Sequence, residues 1–129
     1  MTRRLLRQVR HLGRHTSDEE AEGVLDTVLA VLGSQLTGGE RRALAAVLPD
    51  RARTTFASRL PLPEPVAAPA FVETVAHALD AALAVARWDT SCVPAALADL
   101  AGERLTDRIL AYLPRGCALL FGRAELAAA

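Results

Sequence analysis

The chain has 129 residues, 51% of them apolar but only five aromatic, and its fifteen arginines balance fifteen acids with no lysine present. That length supports one domain, or two half-domains sharing a core, and buries roughly two thirds of the unfolded surface without help from disulfides or metal. No apolar run reaches the ~18–20 residues of a bilayer span, and residues 1–15 hold no apolar signal-peptide segment, so the expectation is a soluble, cytoplasmic protein.

A core made of Leu, Val and Ala, with alanine the best helix former, predicts an all-α fold. From Arg3 to Arg14, Leu5, Leu6, Val9 and Leu12 fall in one sector of a helix, and Arg3, Arg4, Arg7, Arg10, His11 and Arg14 fall opposite. Ser17-Asp18-Glu19-Glu20 reads as a capping box, with three acids at the positive helix N-terminus. Ala21, Val24, Leu25, Val28, Leu29 and Leu32 continue as an apolar stripe to about Gln35. Thr37-Gly38-Gly39-Glu40 reads as a second capping box, opening a helix with Leu44, Val47 and Leu48 inward. Pro49 cannot continue that helix and fits as the first residue of a short one that buries Phe56.

The alternating prolines of Leu60-Pro61-Leu62-Pro63-Glu64-Pro65 predict an extended strut. A fifth helix opens at Phe71, with Val72, Val75, Leu79, Ala82 and Leu83 on one side, and is drawn to Arg87. Asp89-Thr90-Ser91 offers the next cap; because Pro94 is tolerated in a first turn, that helix is placed from Ser91, with Val93, Ala96, Leu97 and Leu100 inward. A helix over 106–113 carries Ile109, Leu110 and Leu113. Pro114 starts the last, which holds Leu119, Leu120 and Phe121 and stops at Gly122; the tail beyond Arg123 is expected to fray.

The same text runs through the chain twice. Leu48-Pro49 precedes Phe56 as Leu113-Pro114 precedes Phe121, and Val9 and His11 recur as Val75 and His77. The offset is 66 residues at the front and 65 at the back. The expected organisation is therefore a bundle of two pseudo-repeats of about four helices each. Residues 1–59 form the first half, 60–69 a Pro-rich linker and 70–123 the second half, with 124–129 a tail.

So laid out, the chain resembles the bacterial family called domain of unknown function 2267. Leu36-Thr37-Gly38-Gly39-Glu40 and Ala45-Ala46-Val47-Leu48-Pro49 carry the resemblance in the first copy. Phe71 to His77, Tyr112-Leu113-Pro114-Arg115 and Leu120-Phe121-Gly122 carry it in the second, whose middle departs from the pattern. The resemblance implies an all-helical two-copy fold and a bacterial source, and brings no catalytic residue with it.

Chemistry-bearing patterns are sparse. Arg3, Arg7, Arg10 and Arg14 line one helix face about 5 Å apart, an array suited to an acidic protein patch, a nucleic-acid backbone or an anionic surface. Carried across by the 66-residue offset, Arg7 falls on Glu73, His11 on His77 and Arg14 on Asp80, so equivalent positions bear opposite charge. The basic face of one molecule could then meet the acidic face of another, head to tail. His11 with His15, and Glu73 with His77, have the spacing of two metal ligands on one helix face. Both pairs lie opposite the apolar stripes and read as solvated, so no metal or cofactor is expected. Cys92 and Cys117 read as buried reduced thiols, and Trp88 as a core or helix-end contact. No nucleophile elbow, phosphate loop or Cys–His motif is readable.

The expected function is non-enzymatic: a protein-interaction or scaffold module that binds another protein or itself through Arg3, Arg4, Arg7, Arg10, His11, Arg14, Glu73, His77 and Asp80. The alternative is nucleic-acid or anionic-surface binding through the arginine face, which lacks interleaved aromatics and sits on a neutral chain. No membrane insertion is expected.

Overall fold

A computed structural model describes residues 2–114 and 116–117, with side chains from Arg4 onward. Six helices make up the described chain, and no strand is among the described residues: α1 (Thr2–Gly13), α2 (Asp18–Gly33), α3 (Gly38–Val47), α4 (Asp50–Phe56), α5 (Ala68–Leu79) and α6 (Leu83–Tyr112). The protein is all-α. The helix expected to carry Leu119, Leu120, Phe121 and Gly122, and the tail after it, lie outside the described residues.

Two helices organise the rest. α2 is packed by α1, α4, α5 and α6; α6 is packed by α1, α2, α3 and α5. The apolar stripe of α2 fills completely, with Ala21, Val24, Leu25, Val28, Leu29, Val31 and Leu32 all buried. Its start follows the predicted cap in half. The Ser17 Oγ accepts the Glu20 N–H at 3.1 Å, while the Glu20 carboxylate takes the Thr16 hydroxyl at 3.0 Å.

At the other end of α2, Gly33 permits the tightest contact of any described glycine. A Cβ there would lie 1.9 Å from the carbonyl oxygen of Phe56. The C-terminus of α4 therefore rests on the backbone of α2, and Phe56 is fully buried. Pro49 caps α4 rather than opening it, one residue from its expected place. The Pro-rich segment is strapped across the end of α2: Leu62 N–H donates to the Ser34 carbonyl at 2.9 Å and Val66 N–H to the buried Gln35 side chain at 2.6 Å.

Three expected boundaries move. The fifth helix does not reach Arg87: α5 ends at Leu79, where Asp80 adopts φ 53° and its N–H returns to the Ala76 and His77 carbonyls. The next helix does not wait for Ser91 but starts at Leu83, so Pro94 lies well inside α6 and Ser91 donates to the Trp88 carbonyl within it. Proline inside a helix costs roughly 3 kcal/mol; burial of Ala86, Val93, Ala96 and Leu97 around it offsets that, at about 1.5–3 kcal/mol per large apolar side chain. The real break falls at Gly102 (φ 81°, ψ 166°), a backbone region closed to residues with a Cβ. The second capping box does not form either. The Thr37 hydroxyl donates to the Tyr112 hydroxyl at 3.1 Å, and Glu40 pairs with Arg108 at 3.2 Å, so α3 is tied to α6 instead.

The two glycines of α2 should respond oppositely to alanine. Gly23 has nothing within 4 Å of an added Cβ, so Gly23→Ala should raise the unfolding free energy by about 0.4–1 kcal/mol through helix propensity. Gly33→Ala should lower it by at least about 2 kcal/mol, since the opposing atom is backbone. Urea denaturation followed by circular dichroism reads both.

Candidate functional site

The outward face of α1 is as charged as its sequence implies. Arg4, Arg7, His11 and Arg14 are exposed and, among the described residues, their side chains have no partner. The Arg3 side chain lies outside the described part. Arg10 is different: it bonds Asp18 at 2.8 Å and the carbonyls of Thr16 and His15, holding the turn between α1 and α2. On α5, Glu73 and His77 are exposed, as is Asp80 at its end, again without side-chain partners among the described residues. α1 packs on α2 and α6, α5 on α6 and α2, and among the described residues no pairing joins the basic face to the acidic one.

His15 is not on the solvated face. α1 stops at Gly13, and Arg14 turns in the left-handed region (φ 55°). The His15 imidazole therefore swings inward, where Nε2 meets Asp89 Oδ1 of α6 at 2.9 Å, with side chains only 3% and 11% exposed. Nδ1 is buried without a partner. Beside this pair the Trp88 indole donates to the Gly13 carbonyl at 3.1 Å, capping α1, although Trp88 keeps 52% of its surface. The sequence reading of Trp88 as a helix-end contact is met; that of His15 as a surface residue is corrected. Helical spacing placed His15 on the arginine face, but the helix ends two residues before it.

Another cluster went unread. Arg51 of α4 bridges Glu22 at 2.9 Å and Asp26 at 3.1 Å of α2, and the Glu22 hydrogen bond above all pushes its pKa upward. Those residues lie too far apart in sequence for any spacing rule to join them. With Leu6, Leu25 and Ala52 they enclose a crevice of only about 10 Å³. A far larger cleft, about 490 Å³, opens between α5 and α6, lined by Ala68, Pro69, Val72, Glu73, Leu83, Ala84, Arg87 and Gly116.

Cys92 and Cys117 are buried free thiols. Burial, followed by the nearby Asp89 charge, pushes Cys92 up to about 11, and burial raises Cys117 as well. Both are therefore protonated and inert near neutrality. No group of three or more His, Cys, Asp or Glu able to hold a metal occurs among the described residues, and no single helix there is long and apolar enough to cross a membrane.

The family model described as "Uncharacterized conserved protein (DUF2267)" matches residues 2–120, nearly the whole chain. The chain belongs to that family. No curated protein matches it.

The buried pair and the thiols are both measurable. Asp89→Ala leaves His15 buried without its partner and should cost about 1–3 kcal/mol of stability, with Asp89→Asn costing less because an acceptor remains. Cys92 has a higher pKa folded than unfolded, so its stabilising contribution is full below about 9 and is lost as pH climbs from 9 towards 11. Urea midpoints across that range should fall, and less steeply in Cys92→Ala.

Proposed function

We propose that this member of the family is a non-enzymatic, cytoplasmic protein-interaction module, built from two copies of one helical half and acting through the charged faces of α1 and α5. The observation that carries the reading is the unpaired charge on these two faces. Arg10, Arg51, Arg53 and Arg108 all find acids within their own chain, whereas Arg4, Arg7, Arg14, Glu73 and Asp80 find none among the described residues. Unpaired charges arranged in lines on separate helices suit a contact with another molecule.

The two-copy reading, with 1–59 and 70–123 as its halves, has support at the level of single residues. Arg14 and Asp80, 66 apart, are the only non-glycine residues described with positive φ, and each ends its helix. At an offset of 65, the buried Ala21, Val24, Leu25, Val28, Leu32, Leu44, Leu48 and Ala52 fall on the buried Ala86, Asp89, Thr90, Val93, Leu97, Ile109, Leu113 and Cys117. The N-caps Ser17 and Ala82 correspond likewise. The residue lost between the copies lies in the turn that holds His15 and Thr16, which the second copy crosses with Ala81 alone.

Because equivalent positions bear arginine in one half and an acid in the other, the partner that fits best is a second copy, joined head to tail. Such a contact is heterologous and builds rings or filaments rather than a two-fold dimer. Each exposed pair contributes only about 0.2–1 kcal/mol, so association should be weak and sensitive to salt. Sedimentation velocity over a concentration series at low salt tests it. Wild type should gain mass with concentration, Arg7→Glu should lose about tenfold in affinity, and Arg7→Glu with Glu73→Arg should recover it. A wild type that stays monomeric throughout, or an Arg7→Glu variant that behaves identically, overturns the reading.

A further inference from the structure

The two clefts occupy related places. Within the two-copy reading proposed above, Leu6, Glu22 and Arg51 of the small crevice correspond to Val72, Arg87 and Gly116 of the large one. In the first half the Arg51 side chain lies across the site and is fastened to Glu22 and Asp26, which leaves about 10 Å³. In the second half glycine stands in place of that arginine, and about 490 Å³ is open. That volume lies within the roughly 300–1,000 Å³ typical of small-ligand sites.

The lining chemistry changes sign along with the size. Asp18, Glu19 and Glu22 at the start of α2 correspond to Leu83, Ala84 and Arg87 at the start of α6. An acidic mouth that holds a cation has become an apolar mouth with one guanidinium. Leu83 is 57% exposed and lends the mouth of the cleft an apolar edge. Arg87 is exposed and has no partner among the described residues. Val72, Pro69 and Ala68 complete an apolar wall from α5, and Glu73 stands at its edge.

We infer that the cleft between α5 and α6 binds a small aliphatic carboxylate, its chain lying along Val72, Leu83 and Ala84 and its head group on Arg87. The charge of Arg87 selects an anion, and the planar guanidinium matches a carboxylate in two parallel hydrogen bonds. The apolar wall selects a hydrocarbon chain, and Glu73 disfavours a second negative charge near the edge.

Trp88 follows Arg87, is half exposed and is the only tryptophan in the chain, so its fluorescence reports on the site. Decanoate below its micelle concentration is titrated into the protein, with decanol and decylamine as neutral and cationic probes and calorimetry for stoichiometry. Saturable one-to-one binding of decanoate is expected, with decanol at least about tenfold weaker and decylamine weaker still, the loss of one charge-assisted bond. Arg87→Gln should weaken decanoate to the level of decanol, and being an exposed position it should leave the melting temperature unchanged. Gly116→Arg should block the cleft as Arg51 does in the first half. Its added Cβ meets Ala68 at 3.3 Å, so its circular dichroism is recorded alongside. The same titration on Arg7→Glu separates the site from self-association, because that variant should bind decanoate like wild type even if no assembly forms. No saturable binding, equal binding of all three probes, or an Arg87→Gln variant equal to wild type overturns the inference.

Discussion

Buried inside the corner after α1, an imidazole and a carboxylate have to satisfy one another. His15 and Asp89 lie 74 residues apart in the chain, and both are largely shielded from water. A buried polar group without its partner costs as much as several good apolar contacts gain, so the corner has one seating on α6. From that seating follow the left-handed turn at Arg14, the Trp88 bond to Gly13 and the engagement of Arg10 with the loop rather than with solvent. It also fixes how α1 is rolled. With Leu5 and Val9 buried, the helical period turns Arg4, Arg7 and His11 outward.

Much of this was legible before any coordinates. Apolar periodicity located α1, α2 and α3, and the Ser17 cap followed from four consecutive residues whose chemistry is local. Reading failed where tertiary packing overrode a local rule. By local rules Pro94 belongs at a helix start, yet it sits inside α6 because buried neighbours on both sides hold the backbone. The break falls instead at Gly102, whose φ of 81° is readily adopted only by glycine. Thr37 and Glu40 had the spacing of a capping box but found better partners in Tyr112 and Arg108, which no window of sequence could anticipate.

The surface residues divide in the same way. Arg4, Arg7, His11, Glu73 and His77 are exposed where the helical period puts them, whereas Arg14 and Asp80 are exposed just past the ends of their helices. His15 was misplaced because the period was continued past the end of its helix. The Arg51 bridge and the α5–α6 cleft were invisible for a deeper reason. A cleft is a property of what is missing between elements, and the sequence records only what is present. On the two-copy reading proposed above, Gly116 stands where Arg51 does, which gives the missing side chain a position and a size.

The strap between Leu60 and Val66 has a consequence for how such a chain can change over time. Two separate half-molecules that paired by symmetry would have to use one sequence for both sides of their contact. Any substitution would then appear twice, once where it helps and once where it harms. On the two-copy reading proposed above, a covalent tether, pinned to Ser34 and Gln35, keeps the halves together at high effective concentration and removes that duplication of cost. Each half is then free to specialise. On the same reading, one half keeps Arg51 fastened to Glu22 and Asp26, while the other is free to leave the cleft between α5 and α6 open.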